Sequence, residues 1–347
     1  MAYNELFALA FVAPYVASEK KIPPTAVQEM MRRSLYHIKW YFAKTDLNTD
    51  KGKAENKKSV VKYAKWYTPE KLIGEYKKAG YSFLAITDHE IYSDYTQYDT
   101  DSFIMMPGVE IMLWQGDRNN AFTTHLVGLG IPGKNKFVHG QKLEYINTTP
   151  TQELIDFLHE NGNYVILAHP YWSGTRLEHF NEYSQGIDAL EIYNNVCNLD
   201  YGTGYSEAYF DTALWADRHI LCIASDDTHQ SVAAQNDFCG GFIMVKAPAL
   251  NKGSIYKSIA AGHFYASTGP LIDEFYLEDG IAYVKCPPCE KISFNTDFYS
   301  GKCVISPDCS LTQASWEYKC IDNDPHFVRC KVEGKNGTAW SQPIWLK

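Results

Sequence analysis

The stretch "FLAITDH", residues 83–89, places four apolar residues directly before Thr87, Asp88 and His89. Four apolar residues are enough for a short buried strand, and the polar residues after them mark where that strand ends. The stretch "CIASDDTH", residues 222–229, repeats the pattern and ends with Asp227 and His229. Both stretches therefore predict buried strands that end in side chains able to bind a metal ion.

Helical segments separate these strands. "TPEKLIGEYKKAG" begins with Thr68 as a candidate N-cap and ends at Gly80. "TPTQELIDFLHENG" repeats the pattern, with Thr149 or Thr151 as the cap and Gly162 at the end. An N-cap oxygen satisfies the free N–H groups of a first turn, and glycine ends helices in the left-handed region. Strands that alternate with helices predict parallel βαβ units.

Polar side chains recur at the carboxyl ends of the predicted strands. In a parallel α/β barrel these ends share one face, where the active site is built. Charged groups at the ends of buried strands are costly unless they are paired, and a metal ion is the simplest partner. The residues in question are His89, Glu110, His169, Glu191, Asp227 and His229.

Composition excludes several classes of function. The 347 residues carry 32 basic and 41 acidic side chains, a net charge of −9, and no long basic run suits nucleic acid. No apolar segment approaches the roughly 20 residues of a membrane span. "LFALAFVAPYVAS", residues 6–18, follows Glu5 and no Lys or Arg, so we interpret it as a packed N-terminal segment and not a secretion signal.

The chain contains nine cysteines, six of them between residues 286 and 330. Cys286 and Cys289 form C-P-P-C, but no second C-x-x-C completes a zinc-ribbon pattern. The spacing favours free buried thiols in a reducing cytoplasm, and it leaves disulfides and a structural zinc site open. We therefore expect a cytoplasmic protein.

The pattern of the sequence changes after about residue 270, where strand and turn signals replace helical ones. "EFYLEDGIAYVKC" predicts a hairpin around Asp279 and Gly280, and short alternating segments follow it. We predict an N-terminal segment at residues 1–34, an α/β barrel domain at 35–270 and a small β-rich domain at 271–347.

The motifs taken together resemble the PHP (polymerase and histidinol phosphatase) family of metal-dependent phosphoesterases. The resemblance covers about residues 40–347 and includes a closing part typical of a subgroup with an added β domain. It is carried by "GYSFLAITDHE", "MPGVEI", "THLVGLGI", "VILAHPYW", "LEIYNN", "IASDDTH", "GHFYASTGPLI" and "AWSQPIWL".

The resemblance implies a distorted (β/α)7 TIM-like barrel that binds up to three divalent ions. One ion position would use Asp50, His89 and His229. A second would use Glu110, His125 and His169. The third normally combines Glu110 and Asp227 with both histidines of an H-x-H motif on the first strand.

That H-x-H motif is missing here. The family spacing places Ala43 and Thr45 at its two positions, and neither side chain can replace an imidazole. The nearby His37 lies too far upstream and is followed two residues later by Lys39. The resemblance therefore implies one or two divalent ions, Zn, Mn or Fe, in place of three.

Two functions follow from the resemblance. The first is a phosphoesterase that uses metal-activated water on a small phosphorylated substrate, with Glu110 and Asp227 at the reaction centre and Arg176 on the phosphate. The second is a catalytically impaired member of the fold that binds a ligand or protein partner. For Glu191 we expect a supporting role beside a ligand or as a helix cap.

Overall fold

The computed structural model describes residues 6–12, 68–115, 122–146, 148–229, 237–319 and 324–346. The first part of the chain forms the strands β1 (Leu6–Val12), β2 (Phe83–Ile86), β3 (Ile104–Gln115), β4 (Phe122–Gly130), β5 (Asn163–Ala168), β6 (Ala189–Asn194), β7 (Leu221–Ser225), β8 (Phe242–Lys246) and β9 (Phe264–Ser267). The helices are α1 (Pro69–Lys78), α2 (Thr151–Glu160), α3 (Phe180–Tyr183), α4 (Asn195–Tyr201), α5 (Glu207–Trp215) and α6 (Lys252–Ala260).

The last part of the described chain, from residue 271 onward, contains strands and no helix. These strands are β10 (Glu274–Glu278), β11 (Ile281–Cys289), β12 (Lys291–Asn295), β13 (Lys302–Ile305), β14 (Leu311–Glu317), β15 (Phe327–Gly334), β16 (Gly337–Ser341) and β17 (Ile344–Trp345). The predicted hairpin is confirmed, because Asp279 and Gly280 connect β10 to β11 with positive φ angles of 50° and 81°.

One large sheet positions the functional side chains. Its strands follow the order β13-β12-β15-β16-β9-β8-β1-β2-β3-β4-β5-β6-β7. The pairs β1–β2, β2–β3, β5–β6 and β6–β7 are parallel, whereas β4 is antiparallel to both β3 and β5. The strands β1, β2, β3, β5, β6 and β7 therefore run in one direction, and their carboxyl ends face the same way.

The α/β class is confirmed, but the prediction of uniformly parallel strands is wrong at β4. Only residues 116–121 connect β3 to β4, and six residues are too few for a crossover helix. A long β3 followed by a reversed β4 curls the sheet. Buried apolar side chains cover both faces of the sheet: Ile111 and Leu126 share one face, and Ile166 and Ile223 share the face of Glu110 and Glu191.

The helix starts were predicted with mixed success. At α1 the hydroxyl of Thr68 accepts a hydrogen bond from the N–H of Lys71, as its N-cap position predicts. At α2 the prediction of a threonine cap is wrong, because Pro150 occupies the N-cap position and Thr151 is the first helical residue. Gly162 closes that helix with a φ of 73°, as expected.

The C-terminal strands continue the large sheet through the antiparallel pair β9–β16. β10, β11 and β14 form a separate three-stranded sheet. Arg329 on β15 is buried and pairs with Glu207 at 2.9 Å and Asp211 at 2.6 Å, both on α5. The domain boundaries at residues 35 and 271 stay a prediction. β1 nevertheless lies in the sheet between β8 and β2, although its residues fall in the predicted N-terminal segment.

The eight described cysteines form no disulfide. Cys286 and Cys289 lie with their sulfur atoms 3.6 Å apart as thiols. In the described part of the chain, no helix has both the length and the apolar character that crossing a bilayer requires.

Candidate metal centre

Six of the predicted ligands lie together at the carboxyl edge of the large sheet: His89, Glu110, His125, His169, Asp227 and His229. We call these six residues the rim. His89 follows β2, His169 follows β5, and Asp227 and His229 follow β7. The backbone of residues 88–90 continues beside β3 through hydrogen bonds of Glu110 N–H to Asp88 O and of Glu90 N–H to Glu110 O, so His89 and Glu110 are neighbours.

A single carboxylate oxygen is the centre of the rim. The Oε1 atom of Glu110 lies 2.6 Å from Nδ1 of His125, 3.9 Å from Nε2 of His169 and 4.0 Å from Nδ1 of His89. Burial opposes the charged form of this carboxyl. The surrounding rings of His89, His125 and His169 nevertheless hold the pKa of Glu110 well below its usual range.

His125 lies on β4, opposite Met112 of β3 and Ala168 of β5. It therefore lies between the parallel strands β1–β3 on one side and the parallel strands β5–β7 on the other. Burial lowers the pKa of His125 to about 3, despite its hydrogen bond to Glu110. The ring is therefore neutral. Its Nε2 atom is buried and has no hydrogen-bond partner among the described groups. A neutral imidazole whose Nδ1 contacts a carboxylate presents the Nε2 lone pair that a metal ion binds.

His169 is held by its backbone and by one ring nitrogen. Its φ of 28° is in the left-handed region, its N–H donates to Glu191 Oε2 at 2.8 Å, and Nδ1 lies 3.0 Å from the hydroxyl of Ser173. Strained backbone of this kind persists where the surroundings fix it, typically at functional sites. Burial opposes a charge on the ring, but the carboxylates of Glu110, Asp227 and Glu191 raise the pKa of His169 to about 9.

Asp227 also has a positive φ, 51°, and is buried. Its Oδ2 atom lies 3.7 Å from Nε2 of His169, and its Oδ1 atom has no hydrogen-bond partner among the described groups. The partly exposed His229 approaches Asp227 from the same loop, with Nδ1 at 2.7 Å from the Asp227 carbonyl oxygen. Burial disfavours a charged His229, but Asp227 and Glu110 raise its pKa.

Glu191 and Asn194 on β6 hold residues of the rim in place through hydrogen bonds. Asn194 Nδ2 donates to Glu191 Oε2 at 2.8 Å and to Asp227 Oδ2 at 3.1 Å. The hydroxyl of Ser225 donates to Glu191 Oε1 at 2.6 Å. Burial raises the pKa of Glu191 to about 7. The supporting role expected for Glu191 agrees with these contacts.

Asp226, the residue before Asp227, shapes the adjacent loop and was missed by the sequence analysis. Its carboxylate accepts hydrogen bonds from the hydroxyl of Tyr76 and from the N–H groups of Cys239, Gly240 and Gly241, all at 2.7–2.8 Å. A methyl group on Gly241 would lie 2.3 Å from the Ser225 carbonyl oxygen, so only glycine fits this approach. The signal in the sequence was the doubled Asp in "SDDTH".

Cys197 is the second residue that the sequence analysis missed. It lies in the first turn of α4, is buried, and has its N–H bonded to Asn194 Oδ1 at 3.0 Å. The ligand atoms of His169, Cys197 and Asp227 all lie within 4.8 Å of one another. Burial, and then the carboxylates of Asp227, Glu191 and Glu110, raise the pKa of the Cys197 thiol well above its usual range.

The geometry of the described residues leaves two of the predicted site residues, Asp50 and Arg176, untested. Asp50, like Ala43 and Thr45, lies outside the described residues. Arg176 is exposed at the start of the short 3-10 turn Leu177–His179, and its role stays a prediction. β1, the strand parallel to β2, consists of "LFALAFV" and contains no His, Cys, Asp or Glu.

The donors present fit divalent metal ions. Two groups have their ligand atoms within 4.8 Å of one another: His89–Glu110–His125 and His169–Cys197–Asp227. Three buried polar atoms in these groups, His89 Nδ1, His125 Nε2 and Asp227 Oδ1, have no hydrogen-bond partner in the described part of the chain. Buried polar atoms are almost always paired, so such atoms in a His and carboxylate cluster suit a cation.

Neither a protein-family model nor a curated protein matches this sequence. Among similar solved structures is a two-domain protein from Bacteroides vulgatus ATCC 8482, described as containing a predicted PHP-like metal-dependent phosphoesterase. It is 10% identical, the match covers 99% of this chain and 96% of that one, and the TM-score is 0.43.

Two other solved structures are similar. One, from Bifidobacterium adolescentis ATCC 15703, is proposed to be a metal-dependent phosphoesterase; it is 12% identical, with 49% of this chain and 84% of that one covered and a TM-score of 0.32. The other is PsfC from Pseudomonas syringae PB-5123, 11% identical, with 71% and 84% covered and a TM-score of 0.35. The functional proposal rests on the side chains of the rim.

Proposed function

We propose that this protein is a metal-dependent hydrolase of the PHP type that cleaves a phosphate ester of a small molecule with water. The observation that carries the proposal is the position of Glu110 Oε1, which lies within 4.0 Å of ring nitrogens of three histidines. Such a constellation of one carboxylate and several imidazoles is the donor chemistry of hydrolytic metal sites. In this proposal the curled sheet β1–β7 is the PHP-type barrel.

Different residues of the chain would have different roles in the reaction. Bound divalent ions, Zn, Mn or Fe, would supply an acidified water and positive charge for the phosphoryl oxygens. Glu110 and Asp227 hold negative charge at the centre, and neutral His125 offers a lone pair. Glu191 and Asn194 fix the orientation of His169 and Asp227, which a reaction centre needs.

Aromatic side chains border the rim and suit the organic part of a substrate. The indole of Trp172 packs edge-to-face on His169 and His125, with ring centroids 4.8 Å and 5.8 Å away. Tyr201 lies 6.0 Å from Trp172 and is half-exposed. An apolar wall beside polar ligands is the usual composition of a small-molecule site.

Activity measurements test the proposal. Protein reconstituted with zinc, manganese or iron(II) is assayed against a panel of phosphomonoesters and phosphodiesters. Glu110→Gln is expected to lower kcat/KM at least about 100-fold, because a charge at the reaction centre is lost. Glu144→Gln is the matched control, since Glu144 is exposed and pairs with the surface residue Lys142. Absence of hydrolysis across the whole panel would contradict the proposal.

A second candidate function is a catalytically impaired PHP fold that binds a ligand or partner. It is favoured by β1, which lacks any metal-binding side chain, and by the missing H-x-H motif. In that case the wild-type protein would bind metal and have no activity that Glu110→Gln could lower.

A further inference from the structure

Three buried side chains at the rim lie close together, although they come from three different parts of the sequence. The ligand atoms of His169, Cys197 and Asp227 lie within 4.8 Å of one another, and His169 Nε2 is 3.7 Å from Asp227 Oδ2. Ligands of one tetrahedral ion with bonds of about 2.0–2.3 Å lie about 3.3–3.7 Å apart. A contraction of about 1.5 Å at the most would therefore bring all three donors onto one ion.

Hydrogen bonds from Asn194 and Ser173 hold the three residues in place and leave Nε2 of His169 available to a metal ion. Asn194 accepts the N–H of Cys197 with Oδ1 and donates to Asp227 Oδ2 with Nδ2, so one side chain holds two of the three residues. Ser173 engages Nδ1 of His169, which leaves Nε2 directed at Asp227. These are the outer contacts that orient ligands in metal sites.

A second observation points to a ligand. Asp227 is only 7% exposed, and its Oδ1 atom has no hydrogen-bond partner among the described groups. A buried carboxylate oxygen without a partner is costly. The cluster also brings Asp227 close to Glu110 and Glu191. A divalent ion would bind Asp227 Oδ1 and compensate the negative charge of the neighbouring carboxylates.

We propose that Cys197 is a metal ligand, and that His169, Cys197 and Asp227 bind one thiophilic divalent ion of the zinc type. The inference rests on the proposed metal-dependent function and names a donor that the family resemblance does not provide. Cys197 here supplies a donor at the rim, to which β1 contributes none. Binding releases the thiol proton of Cys197 and the second ring proton of His169 to solvent, and thiolate, carboxylate and neutral imidazole leave a fourth position open for water or a phosphoryl oxygen.

Thiolate ligation selects the metal. A sulfur donor favours zinc, cobalt(II) and cadmium over manganese, whereas the His89–Glu110–His125 group offers only nitrogen and oxygen. The two positions should therefore differ in metal preference. Manganese would fill the nitrogen–oxygen group before the group that contains Cys197.

Cobalt(II) is the probe for the test, because a cobalt–thiolate bond gives a charge-transfer absorption in the near ultraviolet. The full-length protein is stripped with chelator and titrated with cobalt(II). Wild type is expected to develop the band, and Cys197→Ala to lose it together with at least about tenfold in affinity for one ion. Cys222→Ala should keep the band, since Cys222 is an equally buried thiol on β7 whose N–H donates to Gln342.

A second control addresses the other pair of neighbouring thiols. The double variant Cys286→Ser/Cys289→Ser should keep the band, because these sulfur atoms contact each other in the C-terminal strands. If Cys197→Ala does not fold, Cys197→Ser preserves the size of the side chain and should lack the band as well.

The outcomes separate the inference from the function on which it rests. Cobalt bound by wild type without a band, or a band that survives in both Cys197 variants, overturns the role of Cys197 and leaves the metal-dependent function standing. No cobalt bound by wild type overturns both. A band lost only in the Cys197 variants supports the inference.

Discussion

Nδ1 of His125 lies 2.6 Å from Oε1 of Glu110, and both side chains are buried. The histidines around Glu110 hold the pKa of its carboxyl well below the usual range, and burial lowers the pKa of His125 to about 3. The pair is thus an anion beside a neutral ring, and Nε2 of that ring has no partner among the described groups. A metal ion would bind both the carboxylate and the Nε2 lone pair, which is why the rim is interpreted as a metal centre.

Asn194→Asp should make stability depend on metal. The change places a carboxylate where an amide donates to both Glu191 and Asp227, at 2.8 Å and 3.1 Å. Three acidic groups would then repel one another in a buried site, at a cost of about 2–4 kcal/mol. Thermal unfolding with and without chelator measures the effect. We expect a larger loss in chelator than in zinc, and equal losses would contradict the role given to the ion.

Metal binding should become tighter as the pH rises. In the metal-free protein the pKa of His169 is raised to about 9 from its usual 6.5, so at pH 7 the ring has to release a proton before it binds metal. The His169 proton alone makes the apparent affinity rise about tenfold per pH unit up to about pH 9, and loss of the Cys197 thiol proton on binding steepens the rise to about a hundredfold per pH unit.

Titrations with zinc at pH 6.5, 7.5 and 8.5 check this expectation, with His169→Gln as the control that should lower the slope by about tenfold per pH unit. The same raised pKa stabilises the metal-free fold. That contribution is complete below about pH 6.5 and is lost as the pH rises through about 9. A pH-independent affinity of the wild type would contradict the assignment of His169.

Gly241→Ala should destabilise the loop beside Asp226. The added methyl group would lie 2.3 Å from the carbonyl oxygen of Ser225. This oxygen belongs to the backbone, which can move away only at a considerable cost in free energy. We expect a loss of about 2 kcal/mol or more in the free energy of unfolding. Gly74→Ala is the matched control, because Gly74 lies in α1 with open space around it and should gain about 0.5–1 kcal/mol. Denaturant unfolding of both variants gives the comparison.

Arg329→Met should weaken the attachment of the C-terminal strands to α5. The guanidinium is buried and pairs with Glu207 and Asp211, so its removal leaves two partly buried carboxylates without their partner. We expect a loss of about 3–5 kcal/mol. Lys285→Ala removes an exposed ion pair with Glu274 and should leave the melting temperature nearly unchanged. Similar melting temperatures for the two variants would contradict this account of the interface.

Four of the six rim residues could be predicted from the sequence, because each follows a short apolar strand. Buried strands such as "FLAI" and "LCIAS" are recognisable as short apolar runs, and the polar residues directly after them lie at the strand ends. Glu110 and His125 instead lie within β3 and β4. Glu110 was predicted at the end of a strand, which is wrong, and His125 was identified only through the resemblance of the motifs.

Cys197 could not be predicted, because nothing in "YNNVCN" distinguishes a ligand from an ordinary buried thiol. Its place at the rim depends on α4 beginning immediately after β6, with Asn194 as the cap. The reversal of β4 was missed for a similar reason. Alternation of strands and helices predicts parallel pairing, and only the short connection of residues 116–121 indicated otherwise.

Elemental analysis of protein purified without added metal tests the central claim most directly. The account predicts about two divalent ions per chain, one for each group of donors, falling to about one in His89→Ala. His219→Ala should keep both, because His219 stacks on Trp345 with ring centroids 3.9 Å apart and takes no part in the rim. No bound metal, even after soaking with zinc, manganese or iron, would contradict the account and leave a fold without metal chemistry.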